Sequence, residues 1–225
     1  MSIWSGGPRK PSVSTELTLF GIGTSRTMRA HWMLLELGLE YESRPIQSRS
    51  GETLTDEFKR LNPRHKIPVL QHGSFVLTES CAIVQYLNDT FADPRALYVP
   101  QGPQARATLN EWCYFIMTEL DATSLYVVRR HEGLSSIYGE APMAVDSAKA
   151  YFLHNLETMG QRIANPQYLL GELLSPADIL LMTCLDWASL AGIALPQEAV
   201  DYRRRVAQRS AYQEALQRNF PSAPN

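Results

Sequence analysis

Residues 62–80 read NPRHKIPVLQHGSFVLTES, and the local structure of this part of the chain can be inferred from this stretch. Two short β-prone runs flank residues 72–74 (HGS), a combination typical of a tight hairpin turn. Pro68 opens the first run, and because proline has no N–H to donate to a ladder, it belongs at an edge or at the first position of a strand. Residues 78–80 (TES) then open a helical pattern. The stretch therefore predicts a strand, a turn, a strand and a helix.

Two further pairs of elements are predicted upstream of this unit. A β-prone run at residues 17–20 precedes a helical pattern over residues 25–37. A second strand is expected at residues 41–46 and a second helix at residues 52–61. The predicted order over residues 16–93 is therefore β-α-β-α-β-β-α.

The rest of the chain divides into a linker and a helical region. Residues 94–104 are rich in proline and glycine and are predicted to be a linker. Residues 105–225 carry helical periodicity only, with a capping-box sequence at residues 175–178 (SPAD). Residues 1–15 contain no apolar run and are predicted to be a flexible tail rather than a signal peptide. We expect an α/β domain at residues 16–93 and an all-helical domain after the linker.

Composition excludes several classes of protein. The chain has 225 residues, with 21 Lys and Arg against 23 Asp and Glu, so it lacks the basic surplus of a nucleic-acid binder. No apolar run approaches the ~18 residues of a membrane span. Cys81, Cys113 and Cys184 are few and odd in number, which favours a reducing, cytoplasmic compartment. Neither they nor the five histidines show metal-ligand spacing, so no metal is expected.

Three motifs carry candidate chemistry, and the first is the Ile67–Pro68 bond. A cis bond would turn the backbone of Ile67 outward, where it could pair with an extended peptide ligand. On the residues alone the ordinary trans bond is favoured, since only ~5–6% of X–Pro bonds are cis.

The second motif is the Glu79-Ser80 pair at the start of a helix. Free N–H groups and the Ser80 hydroxyl could bind a carboxylate there, and Glu79 could accept from an ammonium group, which suits an amino-acid head group. The alternative is that Ser80 only caps its helix and Glu79 only favours the helix dipole.

The third motif is the Thr24-Ser25 pair, which follows the first strand and begins the first helix. A hydroxyl at this position could donate to an anion such as a thiolate, with help from the helix dipole. The alternative is that Thr24 or Ser25 serves as the N-cap.

In order and spacing these motifs, with residues 38–42 (GLEYE) and 62–63 (NP), resemble the glutathione S-transferase family over nearly the whole chain. The resemblance implies a thioredoxin-like N-terminal domain, a helical C-terminal domain and a cis bond at Pro68. It implies glutathione as co-substrate. Lys66 would contact the glycyl carboxylate, the Ile67 backbone the cysteinyl part, and Glu79 with Ser80 the γ-glutamyl head.

The catalytic residue implied by the family follows the first strand and is Tyr, Ser or Cys. Residues 19–21 (LFG) and their neighbours supply neither Tyr nor Cys, so the chain resembles the serine-type groups. Counted back from Gly38, Thr24 falls at the hydroxyl position and Ser25 one residue later. Both are candidates, and Ser25 is preferred because serine is the commoner residue.

The resemblance implies a homodimeric, cytoplasmic glutathione transferase that detoxifies small electrophiles, without nucleic-acid or membrane partners. Two alternatives are a glutathione-dependent peroxidase or disulfide reductase and a non-catalytic glutathione-binding scaffold. The electrophile pocket is expected to draw on the first helix of the second domain, which carries Trp112, Tyr114, Phe115 and Glu119. Trp112 also fits the apolar core stripe of that helix.

Overall fold

The computed structural model describes residues 16–164 and 166–221, so the tail predicted at residues 1–15 lies outside the described residues. The first part of the chain is built on one four-stranded sheet, in the order β2-β1-β3-β4. Its strands are β1 (Leu17–Ile22), β2 (Glu42–Gln47), β3 (Val69–His72) and β4 (Phe75–Thr78). Strands β1 and β2 are parallel, whereas β1 with β3 and β3 with β4 are antiparallel. The sequence predicted these four strands along the chain and the hairpin, whose two-residue turn contains Gly73 at φ 58°.

Three α-helices belong to this part and complete the predicted β-α-β-α-β-β-α order. They are α1 (Ser25–Glu36), α2 (Asp56–Leu61, after a 3₁₀ turn at Glu52–Leu54) and α3 (Ser80–Phe91). The end of α1 is set by Gly38, whose φ of 62° is a left-handed conformation that glycine adopts readily. The N–H of Leu39 then bonds the carbonyl of Leu34 at 3.0 Å, which closes the helix end. The thioredoxin-like α/β class is confirmed.

The second part of the chain is helical throughout, as predicted. Helix α4 (Gly102–Phe115) continues into a π-helical stretch (Ile116–Leu125), one α-turn, α5 (Tyr126–Val128), and a second π-helical stretch (Arg129–Gly133). The remaining helices are α6 (Ser135–Tyr138), α7 (Pro142–Ala164), α8 (Pro176–Leu190), α9 (Gln197–Val206) and α10 (Ser210–Asn219). The π-helical stretches were not predicted, because their apolar spacing resembles that of an α-helix.

Helix α8 begins at the predicted capping box. The Ser175 hydroxyl accepts from the Asp178 N–H, and the Asp178 carboxylate accepts from the Ser175 N–H at 2.8 Å. The same carboxylate accepts from the Leu169 N–H at 2.7 Å and from the Tyr202 hydroxyl at 2.5 Å. Asp178 thus ties the start of α8 to α9 and to the preceding loop.

One apolar core runs through both parts of the chain. Helix α1 packs against α3 on its own side and against α8 and α10 of the helical part. Trp32 of α1 is fully buried and lies edge-on to Tyr212 of α10, with ring centroids 5.0 Å apart. The limits of the two domains and the linker remain predictions. Within residues 16–164 and 166–221, no helix combines the length and apolar character needed to cross a membrane.

Candidate functional site

A cleft of about 980 Å³ opens between the two parts of the chain. One wall consists of the start of α1 and the segment before β3, and the other consists of α5, the second π-helical stretch and α6. Thr24, Ser25, Lys66 and Ile67 line it. Four of the seven predicted site residues, separated by about forty positions in the sequence, therefore share one cavity.

The hydroxyls of Thr24 and Ser25 have different surroundings. Thr24 is the N-cap of α1, and its hydroxyl accepts from the Thr27 N–H at 3.0 Å and contacts the Thr27 hydroxyl at 3.0 Å. Ser25 is the first helical residue, is half-buried, and makes no side-chain hydrogen bond to any residue that the structure describes. The N-cap interpretation is therefore confirmed for Thr24, and the Ser25 hydroxyl faces the cleft unpaired.

The Ile67–Pro68 peptide bond is cis, as the family resemblance implied. Pro68 is buried, and the backbone N–H and carbonyl of Ile67 pair with no described residue. Gly21 of β1 lies so close that an added Cβ would stand 2.6 Å from the Ile67 Cβ. The lack of a side chain at Gly21 lets the sheet approach this segment, and the unpaired backbone of Ile67 can pair with an extended ligand.

The carbonyl of Gly21 also holds His31, which lies beneath the cleft in α1. The His31 Nε2 lies 3.1 Å from that carbonyl, and its Nδ1 lies 2.8 Å from the Tyr41 hydroxyl. These partners assign a neutral ring that donates from Nε2 and accepts at Nδ1. The pKa of His31 falls to about 4, because burial lowers it more than the hydrogen bond to the Gly21 carbonyl raises it, and the charge of nearby Arg218 also lowers it.

Glu79 and Ser80 do not line the cleft wall. Glu79 is exposed, has a φ of 71° and pairs with Arg64 at 3.3 Å between Oε1 and Nη1. Ser80 is buried, and its hydroxyl accepts from Arg29 Nη1 at 3.1 Å. The interpretation of Ser80 as a helix cap is wrong, because Glu79 occupies the N-cap of α3 and Ser80 follows it. Since Thr78 pairs with Val69 in the hairpin, both residues still lie beside the Ile67–Pro68 segment.

Arg29 forms the centre of a buried cluster that the sequence analysis missed. Its Nη2 donates to Asp121 Oδ2 at 2.7 Å, its Nε to the Thr183 hydroxyl at 2.8 Å and its Nη1 to Ser80. Asp121 also pairs with Arg26 at the cleft wall. We call Arg26, Arg29, Ser80, Asp121 and Thr183 the buried cluster. A charged residue inside the apolar stripe of α1 was the available signal.

Both charges in this cluster are stabilised against the cost of burial. Burial by itself would lower the pKa of Arg29, but the charge of Asp121, its hydrogen bond and the neighbouring Cys184 and Cys81 together outweigh burial, and the pKa is raised. Burial would likewise raise the pKa of Asp121, but Arg29 and Arg26 hold it below its ordinary value. The cluster is therefore an ion pair at neutral pH that joins α1, α3 and the helical part.

The sequence analysis expected the electrophile pocket to draw on α4, but the residues named for it do not line the cleft. Trp112 and Phe115 pack edge-on against each other, with ring centroids 6.0 Å apart, Tyr114 is exposed, and Glu119 accepts from the Tyr151 hydroxyl at 2.6 Å. None of these four residues lines the cleft. At about 1.5 Å of rise per helical residue, the cleft wall at Tyr126 lies about 10–20 Å further along this long helix than these four residues.

On the side of the helical part, the cleft is lined instead by residues that follow α4, and the sequence analysis did not identify these. Its lining includes the aromatic or apolar side chains Leu54, Tyr126, Ile137, Tyr138, Trp187, Leu190 and Phe220, together with the cations Arg26, Arg49, Lys66 and Arg129. Within the described residues, no group of three His, Cys, Asp or Glu side chains could hold a metal ion.

A thioredoxin-like domain with a cis-proline segment, joined through a cleft to a helical domain, defines a class of two-domain proteins that bind an extended peptide. The family model for the glutathione S-transferase N-terminal domain matches residues 15–89. Glutathione S-transferase D7 of Drosophila melanogaster is 34% identical over 178 residues, covering 77% of this chain and 76% of the relative. Glutathione S-transferase theta-3 of Mus musculus is 30% identical over 188 residues, covering 79% and 77%.

A solved structure agrees with these relatives. The theta class glutathione S-transferase from Xanthomonas axonopodis pv. citri, with glutathione bound, superposes with a TM-score of 0.75 and 26% identity, covering 93% of this chain and 99% of that one. The chain belongs to the glutathione S-transferase family and is a transferase.

Proposed function

We propose that this transferase binds glutathione in the cleft, stabilises its thiolate with the Ser25 hydroxyl, and joins the sulfur to a small electrophile. The observation that carries the proposal is the unpaired Ser25 hydroxyl, which lines the same cleft as the unpaired backbone of Ile67. The structural relative from Xanthomonas has glutathione bound, which supports the same tripeptide as the ligand here.

The remaining predicted residues each bind a different part of glutathione. The Ile67 backbone beside Pro68 pairs with the cysteinyl unit, and Lys66, which forms no ion pair with a described residue, receives the glycyl carboxylate. Glu79 receives the γ-glutamyl ammonium, displacing an exposed Arg64 ion pair of the kind that contributes little stability. Ser80 accepts from Arg29 and so keeps its own proton to donate to the γ-glutamyl carboxylate.

The energetics of thiolate formation are within reach of this site. A thiol with a pKa near ~8.5 is mostly protonated at pH 7, and lowering that pKa by two units requires ~2.7 kcal/mol of preferential thiolate stabilisation. A hydrogen bond to a charged group contributes ~1.5–3 kcal/mol, and the N-terminus of a helix ~0.3–1 kcal/mol. Because Ser25 is the first residue of α1, a thiolate beside its hydroxyl would be stabilised both by the hydrogen bond and by the N-terminus of the helix.

We further propose a cytoplasmic homodimer that detoxifies electrophiles. Three cysteines with free thiols are typical of a reducing compartment. A twofold dimer is the commonest symmetric assembly. Light scattering at micromolar concentration tests the dimer directly.

Replacing Ser25 by alanine tests the mechanism. We expect Ser25→Ala to lower kcat/KM for 1-chloro-2,4-dinitrobenzene at least about tenfold, because a charged hydrogen bond is lost. The thiolate absorbance of bound glutathione should then titrate about one to two pH units higher. Ser25→Thr keeps a hydroxyl and should retain most of the activity.

Thr24→Ala is the matched comparison for the same test. We expect it to remove about 1 kcal/mol of stability through the lost cap, with a smaller effect on the thiol titration. An unchanged titration in Ser25→Ala contradicts the mechanism. Activity only with cumene hydroperoxide or 2-hydroxyethyl disulfide would favour a redox function, and glutathione binding without any turnover would favour a scaffold.

A further inference from the structure

The cleft carries positive charge that the protein does not neutralise. Arg49, Lys66 and Arg129 line it, and none of the three forms an ion pair with a residue in the described part of the chain. We call these three residues the cleft cations. Among the described lining residues, Glu132 is the one acid, and Lys149 already holds its carboxylate at 2.9 Å. The positive charge of the cleft therefore favours the binding of an anion.

Arg129 and Arg49 approach each other from opposite walls. Burial lowers the pKa of Arg129, and the charges of Arg49 and Arg26 lower it further. Tyr138 of α6 lies near Arg49, which lowers the pKa of its phenol. An anion placed between the two arginines would relieve their repulsion.

Glutathione by itself does not account for these charges. Its two carboxylates, its thiolate and its ammonium group give two net negative charges, and the proposed function assigns the thiolate to Ser25 and the two ends to Lys66 and to the Glu79–Ser80 pair. Arg49 and Arg129 then remain without an acidic partner among the described residues. Arg129 stands over the Trp187 ring, with its guanidinium carbon 6.0 Å from the ring centroid, so a flat apolar surface adjoins the charge.

Apolar side chains surround the same position. Leu54, Ile137 and Leu190 line the cleft, and their exposed fractions are 61%, 57% and 84%. Exposed apolar groups of this size, grouped around a cleft, are typical of a ligand-binding surface. The wall therefore offers both an apolar surface and two guanidinium groups.

We propose that the second substrate is an aromatic or similarly apolar electrophile bearing a carboxylate or sulfonate, which Arg129 and Arg49 bind. The inference rests on the proposed function and specifies its substrate class. Guanidinium groups suit this task because their planar N–H groups match the oxygens of a carboxylate.

The reaction with such a substrate balances without an added oxidant or reductant. With 4-chloro-3,5-dinitrobenzoate, the glutathione thiol first loses its proton to solvent. The thiolate sulfur then forms a bond to the ring carbon that carries chlorine, and chloride leaves with the electron pair of the broken bond. The carboxylate takes no part in the bond changes and serves only for binding.

A matched pair of electrophiles tests the inference: 4-chloro-3,5-dinitrobenzoate and the neutral 4-chloro-3,5-dinitrobenzamide. We compare kcat/KM after dividing each value by the uncatalysed rate constant with glutathione. We expect the enzyme to favour the carboxylate about tenfold or more. Arg129→Gln should lower the carboxylate rate much more than the amide rate and so remove most of that preference. Arg204→Gln, which alters an exposed ion pair on α9, should leave the preference unchanged.

The outcomes separate this inference from the proposed function. Turnover of the amide at or above the normalised carboxylate rate overturns the anion preference and leaves conjugation standing. An equal loss of both rates in Arg129→Gln also overturns it, because the residue would then act on glutathione or on folding. No turnover of either electrophile by the unaltered enzyme contradicts conjugation itself, and the substrate class with it.

Discussion

Arg29 and Arg129 are both held away from bulk water, yet their surroundings are opposite. Arg29 is fully buried, and each of its nitrogens has a partner in the buried cluster. Arg129 is half-buried and lacks an acidic partner among the described residues. A buried charge is tolerated when its partners are built into the fold. The buried cluster therefore stabilises the fold, whereas the cleft cations are available to pair with a ligand.

Removing the acid of the buried cluster should have the largest effect. Asp121→Asn leaves Arg26 and Arg29 without a counter-charge, and we expect a loss of about 3–5 kcal/mol in the free energy of unfolding. Urea unfolding followed by far-UV circular dichroism measures this loss. The matched control is Glu214→Gln, which removes the exposed ion pair with Arg218 and should cost less than about 1 kcal/mol. Equal costs for the two variants would contradict the structural role of the cluster.

The free energy of unfolding should also depend on pH, because the interior contains the buried His31. Because the pKa of His31 falls from 6.5 to about 4 on folding, the unfolded chain binds more protons between these values. Stability is therefore highest above pH 6.5 and falls as the pH drops towards 4. The contribution of His31 to this fall is up to about 3 kcal/mol.

Urea titrations between pH 4.5 and pH 7.5 measure the contribution of His31. His31→Gln can keep the bonds to Gly21 and Tyr41 but does not titrate, so its stability should change less with pH than that of the unaltered chain. A slope that is the same in both proteins would show that other groups cause the acid sensitivity.

Replacing Arg129 should have the smallest effect on stability and gives the sharpest contrast with Arg29. Arg129→Met keeps the apolar stem and removes a charge that faces Arg49, so the free energy of unfolding should change by no more than about 0.5 kcal/mol. The same urea titration measures it. A loss of more than about 2 kcal/mol would mean that Arg129 belongs to the structure rather than to a binding surface.

Local signals were sufficient for much of the fold. Residues 72–74 determine a hairpin because glycine adopts the turn conformation, and the Ser175-to-Asp178 capping box starts α8 through bonds within four residues. Thr24 and Ser25 were both found from their place before α1. Sequence reasoning preferred Ser25 only because serine is the commoner residue, whereas the structure distinguishes the two hydroxyls by which of them already has a partner.

The sites that were missed depend on distant contacts. Arg29 and Asp121 are 92 positions apart, and nothing in the sequence of either α1 or the first π-helical stretch indicates the other. The cleft wall was predicted too early along the chain because the path of the long helix over the first part depends on packing. Arg49 lies in the connection between β2 and α2, Lys66 in the segment before β3, and Arg129 in the stretch after α5. Their convergence on one cleft is therefore a property of the assembled molecule.

The sequence by itself determined the order of strands and helices, the helix ends and the family resemblance, because each depends on neighbouring residues. The packing of the two parts then determines that Ser80 bonds Arg29 and that Arg49 and Arg129 line one cleft. These features arise when α1 packs between the sheet and the helical part, since burial then determines which polar groups find partners and which remain open to a ligand.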